Sequence, residues 1–265
     1  QDDLDLGWYS FKWRNHDPAI GRFFNVDPLS ESFYYNSPYA FSENKVTSHV
    51  ELEGLEAFTI HGTSSDPSTF EENPETLPAL KRLSGNETLN NDFVWPEGTN
   101  GFSNDQEDRS EAATALAQHV LGNLKEGEDI TLIGHSHGGN VAIQAVNIIK
   151  EGLGENDDRA VNLITIATPT YNGSDDPENP ANANSDSHVH FYSEFDGVQT
   201  TGASSFGSKK ASRTYKSSGT TNVKVNDSNL VKMPDPVNPG MTKTGPLGPV
   251  ESHFIHTRPE LLKLD

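Results

Sequence analysis

A serine flanked by glycine and histidine lies near the middle of the chain, in the run Gly-His-Ser-His-Gly at residues 134–138. This G-x-S-x-G pattern indicates a nucleophile when a strand precedes it and a helix follows it. Residues 130–133 form a short run typical of a buried strand, and apolar residues recur at helical spacing over 140–150. Turning from strand to helix within so few residues strains the serine and exposes its hydroxyl. Ser136 is therefore predicted to be a catalytic nucleophile.

Two backbone N–H groups are predicted to form an oxyanion hole beside this serine. One belongs to His137, which follows the serine at the start of the predicted helix, where free N–H groups favour negative charge. The other belongs to Thr63, after an early apolar strand, because Gly62 lets the backbone approach closely. The alternative for Thr63 is a capping residue in an ordinary strand-end turn. His61 is interpreted as a structural residue.

A serine nucleophile also needs a histidine base and an acid that orients the base. In this chain order the acid comes before the histidine. Asp196, at the end of a predicted strand, is the predicted acid, and Glu194 is the alternative. His253 is the predicted base, and His256 is the alternative, since only these two histidines follow Asp196 in the sequence.

Strands and helices that could position these residues alternate along most of the chain. The predicted strands span 58–60, 93–95, 130–133, 161–167 and 189–192, and the predicted helices span 105–125 and 140–150. This alternation predicts an α/β fold with a mostly parallel, doubly wound sheet. The polar loops 172–187 and 226–250 are expected over the carboxyl ends of the strands, and a last helical segment is expected through Leu262.

The sequence predicts neither a metal nor a cofactor. His188 and His190 share one face of a strand, a spacing that can bind zinc, but no third ligand accompanies them. Four acids in one loop are interpreted as solvated rather than calcium-binding, because they lack an ordered loop pattern. They are Asp175, Asp176, Glu178 and Asp186.

The first 56 residues have a different character, with many aromatic residues and Asp-Pro turns that predict short strands and reversals. Their motifs follow one another in the order Gly7-Trp8-Tyr9, Asp17-Pro18, Gly21-Arg22-Phe23, Asp27-Pro28, Tyr39-Ala40-Phe41, Asn44 and Glu53-Gly54-Leu55-Glu56. This segment resembles the C-terminal part of the RHS repeat-associated core, over about a fifth of the chain. The resemblance implies an N-terminal RHS cage as a partner and, after residue 56, a variable domain that is commonly a toxin.

The RHS resemblance also implies a self-cleaving junction, and here the sequence departs from the pattern. The family has two Asp-Pro-x-Gly elements, whereas this chain has Asp-Pro-Leu-Ser at 27–30 and Glu-Leu-Glu-Gly at 51–54. A paired-carboxylate mechanism needs two acids that share a proton. The substituted second aspartate counts against self-cleavage, and where cleavage occurs it is expected near Leu55.

Residues 57–265 resemble bacterial lipase- and esterase-like domains of the α/β-hydrolase type. The resemblance rests on segments 58–62, 93–95, 134–139 and 167–169, together with Asp196 and His253. It implies hydrolysis of carboxylic esters of lipids, sometimes phospholipids, without a metal. The main hypothesis is a lipase or phospholipase effector with a cognate immunity protein. The alternatives are a general carboxylesterase or thioesterase, and a non-catalytic interaction domain with a hydrolase fold.

Composition narrows the partners of the chain. With 39 acidic and 19 basic residues the formal net charge is −20, which excludes binding to nucleic acid through phosphate neutralisation.

No apolar stretch of the sequence is nearly as long as a membrane-spanning helix, which needs about 18 apolar residues. No signal peptide is visible, and the chain is expected to begin in mid-domain. Without cysteine it suits oxidising and reducing compartments alike. Secretion or delivery into a target cell is the expected localisation.

Overall fold

The structure is a computed structural model that describes residues 9–10, 15–17, 19–26, 37–40, 56–86, 88–102, 104–124, 128–201, 211–226, 231–234, 242–245, 251–258 and 262. The chain divides into two units, Gln1–Glu53 with Leu264–Asp265, and Gly54–Lys263. The assignment of residues 1–56 and 57–265 to two domains of different origin stays a prediction.

In the first unit, three short antiparallel strands follow one another in the order β1-β2-β3. They are β1 (Tyr9–Ser10), β2 (Asn15–Asp17) and β3 (Arg22–Phe23). The reversal after β2 is closed by Asp17, whose carbonyl accepts from the Gly21 N–H at 2.8 Å. These strands agree with the short strands and reversals that the aromatic-rich sequence predicts. The two elements of the self-cleavage pattern, at 27–30 and 51–54, lie outside the described residues.

In the second unit, six strands form a parallel sheet in the order β5-β4-β6-β7-β8-β9. In chain order they are β4 (Glu56–Ile60), β5 (Thr88–Asn90), β6 (Ile130–His135), β7 (Val161–Ile166), β8 (Ser187–Tyr192) and β9 (Thr220–Lys224). β4, β6 and β7 are buried along their whole length, as expected for a parallel sheet covered on both faces. The predicted α/β fold with a doubly wound parallel sheet is confirmed.

Four helices accompany the sheet in the described part of the chain: α1 (Thr76–Ser84), α2 (Gln106–Asn123), α3 (His137–Leu153) and α4 (Gly197–Thr201). α2 begins with a capping box, in which the Asp105 carboxylate accepts from the Asp108 N–H and the Asp108 carboxylate accepts from the Asp105 N–H. The buried faces of α2 and α3 join residues of β4, β6 and β7 in one hydrophobic core. No helix that the structure describes is both long and apolar enough to cross a bilayer.

The prediction of a strand at 93–95 is wrong, because these residues pair with no other strand. The strand of this region is β5, a few residues earlier. Phe93 and Trp95 are buried in the core, while Val94 between them is 61% exposed. The Trp95 indole N–H donates to the His61 carbonyl at 3.1 Å. Alternating burial therefore marks an extended segment that leaves the sheet, and apolar pattern alone does not separate it from a strand.

Other differences fall in polar segments. The predicted loop 226–250 contains an antiparallel pair, β10 (Val231–Pro234) and β11 (Thr242–Gly245). The sequence analysis did not predict β9, because its residues are mostly threonine, asparagine and lysine and form no apolar pattern. His253 lies within a 3₁₀ helix, Glu251–Thr257, rather than on a loop before a helix.

Candidate active site

Ser136 lies in a strained turn between β6 and α3. Its backbone has φ 53° and ψ −135°, a conformation that side-chain-bearing residues rarely adopt and that costs about 1–3 kcal/mol. Two hydrogen bonds hold this conformation: the Ser136 N–H donates to the Ile166 carbonyl at 2.9 Å, and the Ser136 carbonyl accepts from the Gly139 N–H at 3.0 Å. The turn is thus fixed to the end of the neighbouring strand β7, and the strain predicted for the serine is present.

Glycines at two positions allow the backbone to close around this serine. A Cβ atom at Gly134 would lie 2.4 Å from Gly139 Cα across the turn, which no real side chain tolerates. A Cβ atom at Gly62 would lie 2.8 Å from Ser136 Cβ. The segment that contains Thr63 therefore packs directly on the serine because residue 62 has no side chain.

Ser136, His253 and Asp196 form a continuous chain of hydrogen bonds. The serine hydroxyl donates to His253 Nε2 at 2.8 Å, and His253 Nδ1–H donates to Asp196 Oδ2 at 2.9 Å. The three side chains come from widely separated parts of the sequence and are all buried. This arrangement keeps the lone pair of Nε2 aimed at the hydroxyl, as a general base requires.

Asp196 lies in the turn after β8, which ends at Tyr192, and it is fixed by the elements that follow it. Its Oδ1 accepts from the Gln199 N–H of α4 at 2.8 Å, and its backbone carbonyl accepts from Arg213 Nε at 3.0 Å. Glu194, the alternative acid, is more than half exposed and forms an ion pair with Lys224 at 3.2 Å. The structure therefore brings Asp196 and not Glu194 to the histidine.

His253 is held by a residue that sequence reasoning did not assign, His135. His135 Nε2–H donates to the backbone carbonyl of His253 at 3.0 Å. His256 packs its ring on His135, with ring centroids 3.6 Å apart, and burial lowers the pKa of His256 to about 3. Of the two histidines that the sequence leaves open as the base, His253 contacts the serine and His256 is a buried neutral ring behind it.

The two predicted oxyanion donors lie on either side of a buried amide, that of Asn104. Asn104 Nδ2 donates to Thr63 Oγ1 at 3.0 Å, and Asn104 Oδ1 lies 3.0 Å from His137 Nδ1. His137 is the first residue of α3, where backbone N–H groups have no acceptor within the helix. The roles of Thr63 and His137 as donors stay predictions.

A buried ion pair adjoins this amide, and the sequence analysis missed it. The Arg109 guanidinium, on α2, donates from Nε and Nη2 to the two oxygens of Glu178. The interpretation of Glu178 as a solvated loop acid is therefore wrong, since its side chain is fully buried. A signal for Arg109 did exist: it lies three and seven residues before the buried Ala112 and Leu116, on the same face of the helix.

His188 and His190, the pair with zinc-like spacing, use their ring nitrogens for hydrogen bonds within the protein. Thr165 Oγ1 lies 2.8 Å from His188 Nε2 and 2.8 Å from His190 Nδ1. The remaining nitrogens contact Thr220 Oγ1 and the Arg213 carbonyl. Within the described residues, no three His, Asp or Glu side chains are grouped as metal ligands.

Because these histidines are buried, we expect the protein to lose stability in acid. Burial lowers the pKa of His188 to about 3 and that of His190 to about 4, from an ordinary value of 6.5. Between these values and pH 6.5 the unfolded chain binds more protons than the folded one, so stability falls as the pH falls. Each such histidine contributes a slope of up to about 1.4 kcal/mol per pH unit.

Urea unfolding between pH 7 and pH 4 measures this slope. We expect the free energy of unfolding to decrease below pH 6.5, and the decrease to be shallower in His188→Gln, which removes one titrating ring. Equal slopes in wild type and His188→Gln would contradict the assignment of acid sensitivity to this residue.

The parallel sheet and the site together define the class of the second unit. β6 is followed by a strained serine at the start of a helix, and the acid and histidine come later in the chain in the order of α/β-hydrolases. The chain therefore has an α/β-hydrolase fold.

The chain is similar to known proteins over part of its length. No family model matches it. A curated relative, salivary gland surface protein 1 of Aedes aegypti, is 38% identical over 58 residues, which are 22% of this chain and 2% of that protein. The match thus spans a very small part of the relative.

Solved structures with partial similarity are α/β-hydrolases and esterases. An extracellular α/β-hydrolase from a Paenibacillus species is 20% identical, with a TM-score of 0.30, over 44% of this chain and 42% of that one. An esterase of Pyrobaculum calidifontis is 18% identical, with a TM-score of 0.36, over 58% of this chain and 63% of that one. The methylesterase MES16 of Arabidopsis is 14% identical, with a TM-score of 0.37, over 64% of this chain and 89% of that one. Similarities of this size say little about chemistry, which must be inferred from the site.

Proposed function

We propose that the chain is a serine hydrolase of carboxylic esters, and more specifically a lipase or phospholipase effector domain that acts on membrane lipids. The observation that supports the reaction most directly is the buried relay of Ser136, His253 and Asp196, with contacts of 2.8 and 2.9 Å. Its serine is held at a positive φ in the strand-to-helix turn that carries the nucleophile in this fold.

In the proposed reaction, Ser136 Oγ attacks the ester carbonyl carbon while His253 Nε2 takes the hydroxyl proton. The carbonyl oxygen becomes an oxyanion that accepts from the N–H groups of His137 and Thr63. Collapse of this intermediate breaks the C–O bond, and the leaving alcohol takes the proton from His253. Water then attacks the acyl-enzyme with the same base, releasing the acid and restoring the serine.

A lipid substrate is supported by aromatic side chains that point to solvent near the site. Phe254 directly follows His253 and is 43% exposed, and Phe102 is 76% exposed. Phe102 lies in the turn that leads to Asn104, and Asn100 of the same turn accepts from the Ser64 N–H at 2.9 Å. Exposed apolar groups of this kind can contact acyl chains or a lipid surface.

The effector role rests on the resemblance of residues 1–56 to the RHS core. In this proposal residues 57–265 are the toxic domain, secreted or delivered into a target cell and damaging a competitor's membranes. The N-terminal RHS cage of the parent protein and a cognate immunity protein would be its partners.

Fatty-acid release from phosphatidylcholine vesicles and from triglyceride emulsions tests this function, in parallel with hydrolysis of short p-nitrophenyl esters. We expect lipid hydrolysis by the wild type that disappears in Ser136→Ala. Ser84→Ala is the matched control, because Ser84 is a buried serine of α1 whose hydroxyl donates to the Leu80 carbonyl of the same helix. Turnover of short esters alone would replace the lipase proposal with a general esterase. No Ser136-dependent turnover of any ester would favour a binding domain.

A further inference from the structure

The side chain of Asn104 contacts both residues whose N–H groups are assigned to the oxyanion hole. Its Nδ2 donates to Thr63 Oγ1 at 3.0 Å and to the Gly101 carbonyl at 2.7 Å. Its Oδ1 lies 3.0 Å from His137 Nδ1. Thr63 follows β4 and His137 follows β6, so one amide connects the two segments that would bind the oxyanion. Asn104 itself is only 2% exposed.

Arg109 fixes the orientation of this amide. Its Nη1 donates to Asn104 Oδ1 at 2.8 Å and lies 3.1 Å from His137 Nδ1. Since an amide oxygen only accepts, Asn104 Oδ1 accepts from both Arg109 Nη1 and His137 Nδ1–H, and the imidazole proton lies on Nδ1. Burial and the adjacent guanidinium hold the pKa of His137 well below its ordinary value, which keeps the ring neutral.

Glu178 in turn fixes Arg109, and it comes from a different part of the fold. It lies in the polar loop after β7, where Gln144 Nε2 of α3 also contacts its Oε1 at 3.3 Å. Glu178, Arg109 and Asn104 are all buried. Their contacts extend as one chain from that loop, through α2, to the turn at Thr63.

We propose that Asn104 is a positioning residue of the oxyanion hole, held in register by the Arg109–Glu178 pair. The proposal rests on the proposed function, since it assigns a role within the same ester-hydrolysing site. Asn104 sets the distance between the Thr63 and His137 N–H groups without touching the substrate. Its effect is exerted on the transition state and the tetrahedral intermediate, because the bound ester carries no oxyanion.

A direct test compares Asn104→Ala with Thr63→Val on p-nitrophenyl acetate. We expect each to lower kcat about 10- to 100-fold with KM nearly unchanged, since a displacement of about 1 Å in an oxyanion donor has an effect of that order. Thr63→Ser keeps the hydroxyl that Asn104 binds and is expected to recover most of the rate lost in Thr63→Val. The double variant is expected to be no slower than the slower single variant, because both remove one contact.

Affinity for a trifluoromethyl ketone, which forms a tetrahedral oxyanion with the serine, is expected to fall in proportion to kcat. Substitution of a residue that only stabilised the fold would not change the affinity of the folded protein for this ketone. Asn162→Ala is the matched control, because Asn162 is a buried asparagine near the amino end of β7 that accepts from the Ser187 hydroxyl. If Asn104→Ala does not fold, Thr63→Val, at a partly exposed residue, still tests the contact.

Fluorophosphonate labelling of Ser136 separates failure of this proposal from failure of the proposed function. A wild type that neither labels nor hydrolyses esters overturns both. A wild type that does both, with Asn104→Ala matching Asn162→Ala in kcat and in ketone affinity, overturns the role of Asn104 alone. The role of Asn104 is also overturned if the losses of kcat in Asn104→Ala and Thr63→Val multiply in the double variant, because the two residues then act independently.

Discussion

Asparagine in place of Asp196 is expected to lower kcat for short esters about 10⁴-fold, and alanine in place of Ser136 about 10⁶-fold. The two losses differ because they have different causes. Ser136→Ala removes the attacking atom, whereas Asp196→Asn keeps the shape of the side chain, removes its negative charge and moves one proton of His253 from Nδ1 to Nε2.

The contacts of Asp196 explain why that proton matters. Its Oδ1 accepts from the Gln199 N–H, and its Oδ2 accepts from His253 Nδ1–H. An asparagine keeps its oxygen toward Gln199, so its NH₂ group turns toward His253 Nδ1. Two donors cannot share one hydrogen bond, and the imidazole moves its proton to Nε2. Nε2 then has no lone pair for the serine hydroxyl 2.8 Å away.

Steady-state kinetics on p-nitrophenyl butyrate measure both losses, with thermal unfolding to show that each variant is folded. Glu194→Gln is the matched control and is expected to retain the wild-type kcat, because Glu194 is exposed and pairs with Lys224. A tenfold or smaller loss in Asp196→Asn, together with a large loss in Glu194→Gln, would assign the acid to Glu194 instead.

The central part of the fold could be predicted because its signals are local. β6 and α3 are encoded by contiguous apolar patterns, and the Gly-His-Ser-His-Gly run between them leaves few conformations for Ser136. The choices that stayed open, between Asp196 and Glu194 and between His253 and His256, concern neighbours of the same chemical type. Side-chain direction decides between them, and it depends on the 3₁₀ turn at Glu251–Thr257 and on contacts with His135.

The supporting residues could not be predicted because their partners are distant in sequence. Glu178 lies 69 residues from Arg109, in a loop whose acids resemble any solvated loop. His135 occupies a variable position of the serine motif, and its contact with the His253 carbonyl crosses 118 residues. Burial of such groups is determined by the assembled sheet and helices rather than by local pattern.

Leucine in place of Arg109 is expected to be the most destabilising of the substitutions considered, by about 3–5 kcal/mol. The Glu178 side chain is fully buried and would lose both N–H donors of the guanidinium. It would keep the 3.3 Å contact with Gln144 Nε2, which does not supply a charge. A buried carboxylate without its counterion costs far more than the ion pair contributes relative to apolar residues of similar size.

The cause of this loss can be separated from a simple loss of packing by removing the acid as well. In Arg109→Leu/Glu178→Leu no charge remains to be desolvated, so we expect most of the lost stability to return in urea unfolding at pH 7. Lys150→Met, which breaks the partly exposed pair with Asp186, is the control and is expected to cost about 1 kcal/mol or less. If the double variant is as unstable as Arg109→Leu, the lost free energy comes from packing around α2 and not from the charge of Glu178. Recovery of stability without recovery of kcat would show that Arg109 acts on the site separately from its effect on the fold, since Asn104 would still lack the donor to its Oδ1.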